Sequence, residues 1–91
     1  MSEALLIAID YDNTYSSSPR LWERFAATAR EEGHEIVICT GRAFAPELDT
    51  SITIHCTGGQ AKADYLASLG IRPNIWVDDD PVSITQNDIT F

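Results

Sequence analysis

The run Ala4-Leu-Leu-Ile-Ala-Ile9 is continuously apolar and stops at Asp10. A strand that is apolar on both faces has to be covered on both faces. That is the situation of a strand in a parallel sheet layered with helices, and not of a half-solvated hairpin. Three more strands are predicted, at Ile36-Val-Ile-Cys39, Ile52-Thr-Ile-His55 and Ile75-Trp-Val77. Between the first two, Ser16-Ser-Ser-Pro19 offers an N-cap and a proline for the first helical turn, and Gly33 offers a stop. Leu21, Trp22, Phe25, Ala26 and Ala29 share one face of the intervening helix. Gly58-Gly59 breaks the chain before a second helix predicted from about Gln60 to Leu69, with Ala61, Tyr65, Leu66 and Leu69 at helical spacing and Gly70 at its end. Ala43 to Ser51, interrupted by Pro46, reads as a loop or a short, poor helix, and Ile89-Thr-Phe91 as a short edge strand. Strand, helix, strand, strand, helix, strand is the order of an α/β sandwich with a mainly parallel sheet.

The chain has 91 residues, enough for one core, so residues 1–91 are expected to form a single domain without a separate lid. Six Lys and Arg against fourteen Asp and Glu give a formal charge of −8, the wrong sign for tracking a nucleic-acid backbone or an anionic membrane. The longest apolar run is far below the ~20 residues of a membrane span and lacks a basic n-region and a small-residue cleavage site, so it is not expected to be a leader. A cytoplasmic protein is expected, with Cys39 and Cys56 as buried, reduced thiols.

In parallel α/β sheets, sites lie beyond the carboxyl ends of the strands. Here those ends carry Asp10 and Asp12 after the first strand, Thr40 after the second, and Asp78 with Asp79 after the fourth; Lys62 opens the helix after the third. Each residue alone has a plain explanation: an Asp as a turn former, a Thr before Gly as a cap, a Lys as a solvated charge. Together, four carboxylates on one sheet edge repel one another unless a cation sits among them. Mg²⁺ is the natural choice, because it takes oxygen ligands from one or two carboxylates and a phosphate. Neither His34 nor His55 is placed as a ligand for a softer metal. A carboxylate beside such an ion can attack phosphorus, and a second one can give and take the proton. A hydroxyl and an ammonium can hold the phosphoryl oxygens. Arg42, just past the second strand, could grip a substrate anion bidentately, beside its simpler reading as a surface loop charge.

The ordered set Asp10-Tyr-Asp12-Asn-Thr14, Ile36-Val-Ile-Cys-Thr40, Lys62 and Ile75-Trp-Val-Asp78-Asp79 resembles the four motifs of the haloacid dehalogenase superfamily. The resemblance covers residues 4–81. It implies a Rossmann-like sandwich with strand order 3-2-1-4, and a fifth strand beside the fourth. It implies Asp10 as nucleophile and metal ligand, and Asp12 as acid and base with its backbone carbonyl on Mg²⁺. Thr40, with Gly41 beside it, and Lys62 would hold the phosphate. Asp79 would bind the metal directly and Asp78 support it, and Thr14 would brace the loop.

Only Tyr15 to Ser18 separate Thr14 from the first helix, and 21 residues lie between Thr40 and Lys62. Neither gap has room for the family's cap. The expectation is a capless, Mg²⁺-dependent phosphomonoester hydrolase acting on a phosphorylated substrate through an aspartyl-phosphate on Asp10. The alternative is a slow phosphate- and metal-binding or regulatory protein. An uncovered site also suits a homo-oligomer. Receiver domains of response regulators use similar groups, but they carry the acceptor Asp on strand three, where this chain has Ile52-Thr-Ile-His55.

Overall fold

A computed structural model describes residues 4–87. Its elements are β1 (Leu6–Ile9), a 3-10 turn (Tyr15–Ser17), α1 (Pro19–Glu31), β2 (Glu35–Thr40), β3 (Thr53–Cys56), α2 (Lys62–Ser68), β4 (Ile75–Val77) and a short α3 (Val82–Thr85). The four strands form one sheet in the order β3-β2-β1-β4, and every pairing is parallel. The fold is therefore α/β with the expected strand order; the edge strand expected at Ile89–Phe91 lies outside the described residues.

Alternation along the strands divides the core. Ile7, Ile9, Ile36 and Ile38 face α1, where Tyr15, Ala26 and Ile52 complete a buried cluster. Ala8 and Cys39 point to the opposite face and pack with Leu66 of α2. The alanines at 26 and 29 are what allow α1 to approach the sheet closely, while Leu21 and Phe25 of the expected apolar face remain exposed.

Both longer helices end in the same way. Gly33, at φ 85°, lets the His34 N–H reach Ala29 O and its own N–H reach Arg30 O. Gly70, at φ 79°, does the same for Ile71 to Leu66 and Gly70 to Ala67. These are Schellman stops, which require a left-handed residue. The start of α1 differs from expectation. Ser18 occupies the N-cap position without a capping side-chain hydrogen bond, while Ser16 Oγ accepts the Asn13 N–H instead.

The strand ends differ by about one residue from the sequence reading: β2 extends through Thr40 and β3 through Cys56. Residues 41–52 contain neither helix nor strand. This stretch is tied to α1 from the outside: Glu23 accepts hydrogen bonds from both Tyr15 and Thr50, and Arg30 donates to Ser51. The two cysteines are unpaired, Cys39 buried and Cys56 only half-buried. Burial pushes the Cys39 thiol up to about 12. No helix among the described residues is long and apolar enough to cross a membrane.

Candidate active site

The carboxyl ends of β1, β2 and β4 open on a cleft of about 410 Å³. Its walls include Asp10, Asp12, Gly41, Arg42, Lys62, Asp78 and Asp79, all of them expected at the site. Asn13, Gln60, Asp80 and Ser83 also line it and had not been singled out. The signal that could have found them is adjacency: Asn13 lies between Asp12 and Thr14, and Asp80 and Ser83 follow the acidic pair. Thr40 is the exception among the expected residues. It is buried and does not line the cleft, and its hydroxyl accepts the Arg42 N–H at 3.3 Å.

Asp10 directly follows β1, where its N–H continues the ladder to Val77 O at 2.9 Å. Its carbonyl accepts the Tyr15 N–H, closing the loop that carries Asp12. Asn13 sits at φ 63°, a left-handed conformation that asparagine tolerates better than most residues. Thr14 is buried behind this loop, and its carbonyl accepts the Trp22 Nε1–H.

Lys62, 4% exposed, is the buried cation of the site. Its Nζ donates to Asp10 Oδ1 at 2.8 Å and to Asp78 Oδ2 at 2.6 Å. An ammonium has three donors, so one remains for a ligand. Burial disfavours its charge, but the two carboxylates overcome that and hold its pKa above the ordinary lysine value. Asp78 is further fixed by the Asp80 N–H on Oδ1, while the Ser83 hydroxyl, 3.4 Å from Oδ2, donates to Asp80 O at 2.8 Å.

Oxygens of Asp10, Asp78 and Asp79 lie within 4.8 Å of one another. Three hard oxygen donors on a cleft wall fit a divalent cation such as Mg²⁺ and do not suit a soft one. Lys62 offsets only part of their charge. Burial therefore pushes the Asp10 carboxyl up to about 6, with Lys62 opposing and Asp79 reinforcing the rise. The Asp12 carboxylate lies outside this triad. Arg42 forks it, with Nε to Oδ2 at 3.1 Å and Nη2 to Oδ1 at 2.7 Å, and holds its carboxyl below the ordinary range. The guanidinium carbon lies 5.1 Å from the centre of the Tyr11 ring.

The arrangement brings together three carboxylates that could hold a hard cation, a further carboxylate two residues after Asp10, the buried ammonium of Lys62 and the half-exposed guanidinium of Arg42. Compared with models of protein families, with curated proteins and with solved structures, the chain matches none of them.

Proposed function

We propose that the protein is a Mg²⁺-dependent phosphomonoester hydrolase, of the capless haloacid dehalogenase type, that works through an aspartyl-phosphate on Asp10. The observation that carries this reading is the meeting of the Asp10, Asp78 and Asp79 oxygens beside buried Lys62, on the wall of an open cleft. Asp10, Asp78 and Asp79 would hold the ion, which when bound supplies charge stabilisation for the phosphoryl oxygens.

An oxygen of Asp10 attacks phosphorus, and the ester oxygen leaves with a proton from Asp12, which can carry that proton only once the Arg42 fork that holds it ionised has opened. In the second half, a water gives its proton to Asp12 and attacks the same phosphorus. The acyl-phosphate P–O bond breaks, releasing inorganic phosphate and the Asp10 carboxylate. The free Lys62 donor and the Gly41 backbone at the cleft wall are suited to the phosphoryl oxygens. Only 3-10 and irregular backbone connects Thr14 to α1 and Thr40 to β3, which supports the capless reading. A cleft of this volume suits a small substrate.

The test is phosphate release from an aryl phosphate and a panel of phosphorylated metabolites, with and without Mg²⁺. The expected result is Mg²⁺-dependent release that is abolished in the Asp10→Asn protein. Equal, negligible rates in both proteins would overturn the hydrolase. One observation favours the slower alternative of a phosphate- and metal-binding protein: Arg42 occupies both oxygens of Asp12. Tight Mg²⁺ and phosphate binding without turnover would select that alternative.

A further inference from the structure

We infer that Arg42 is a specificity-determining latch, shared between Asp12 and a second anionic group on the substrate, so that the preferred substrate is a phosphomonoester bearing a further carboxylate or phosphate. The inference rests on the phosphohydrolase reading and adds a substrate class to it.

The backbone of Arg42 is held from both sides. Its N–H donates to Thr40 Oγ1, and its carbonyl accepts the Gly58 N–H at 3.1 Å. The side chain is held differently. It is about half exposed, lies against Tyr11, and reaches Asp12 through two parallel hydrogen bonds. The fork takes up both carboxylate oxygens, yet Asp12 must present one of them to the leaving oxygen. The fork therefore has to open as substrate seats. A half-exposed pair is weak in water, so it can open.

Once open, the guanidinium needs another anion, and its planar donors fit a carboxylate or a phosphate equally well. The cleft offers no other cation for that task among its described residues. Lys62 is buried and bound to Asp10 and Asp78, whereas Arg42 is about half exposed and projects from a fixed base. The acidic residues on the wall, Asp10, Asp12, Asp78, Asp79 and Asp80, repel a second substrate anion. Arg42 is thus the one lining group that can reward it. A substrate without the second anion has to break the fork with nothing to replace it.

Phosphonates test this without turnover, because their C–P bond is not hydrolysed. Calorimetric titration in excess Mg²⁺ compares ethylphosphonate, with no second anion, with phosphonoacetate and ethylene bisphosphonate, which carry a carboxylate and a second phosphonate. The wild-type protein is expected to bind one or both of the latter at least about tenfold more tightly than ethylphosphonate. That preference should vanish in Arg42→Ala and survive in part in Arg42→Lys. The two doubly anionic probes separate the two sources of the second charge. Equal binding of all three by the wild type, or a preference that persists in Arg42→Ala, overturns the latch and leaves the phosphohydrolase reading standing. Failure of all three to bind overturns the reading of the cleft as a phosphoryl site, and the latch with it.

Discussion

At the scale of single residues, the site sets two carboxyls apart. Asp10 is 7% exposed and, without metal, is pushed from 3.8 up to about 6 by burial, while Asp12 is held low by Arg42. The folded protein thus keeps a proton on Asp10 where the unfolded chain has lost it, and stability falls as pH rises from about 4 to 6. The shift corresponds to about 3 kcal/mol. Urea unfolding in EDTA is expected to show wild type losing stability relative to Asp10→Asn across that interval; a difference that stays flat with pH would contradict it. On the proposed reading the same carboxyl must ionise to hold the ion, so Mg²⁺ affinity measured by calorimetry should rise with pH through about 6 and level off above it. Thr57 is 4% exposed and its hydroxyl has no hydrogen-bond partner among the described residues. Thr57→Val removes a polar atom that was taken from water without compensation, and should raise the urea midpoint by the equivalent of about 1 kcal/mol. Most of the cleft residues were legible in the sequence, because ends of apolar runs become ends of strands and those ends share one edge. What was not legible is pairing. Nothing in the spacing of Asp12 and Arg42, 30 residues apart, announces their fork. The burial of the Thr40 hydroxyl likewise depends on how the backbone turns after β2.

At the scale of elements, the apolar runs and the glycine stops carried the most information. A continuous apolar run has few solutions other than a covered strand, and Gly33 and Gly70 stand where each helix needs a left-handed residue. A Cβ added at Gly33 would meet nothing within 4 Å, so the cost of substitution there is conformational only. Gly33→Ala should destabilise by about 1–2 kcal/mol and Gly33→Asn by less, because asparagine accepts the left-handed region more readily. Equal midpoints for the two variants in thermal unfolding would count against this account. The serines before α1 were less informative. Three consecutive hydroxyls offer alternative local partners, and the one at Ser16 is used by the Asn13 turn and not by the helix. The short α3 was missed because four residues after a proline carry too little periodicity to register.

At the scale of the whole molecule, the alternation of elements predicted the layers but not, by itself, which strand lies beside which. In the sheet, β1 is flanked by β2 on one side and by β4 on the other. Leu6 and Asn74, 68 residues apart, bind each other twice: the Leu6 N–H donates to Asn74 Oδ1 at 2.7 Å, and the Asn74 N–H to Leu6 O at 2.8 Å. A chain truncated after Ile71 therefore exposes one side of β1 and lacks Asp78 and Asp79. It should show neither a cooperative unfolding transition nor Mg²⁺ binding; a truncated chain that binds the ion with wild-type affinity would separate the site from the sheet. The placement of β4 also bears on synthesis. In a chain growing on the ribosome, Asp10 is made before α1, Lys62 at the start of α2, and Asp78 and Asp79 only after α2. The oxygens of Asp10, Asp78 and Asp79 can therefore meet only after β4 has been made and has docked beside β1, so the cluster cannot exist until synthesis has passed both main helices.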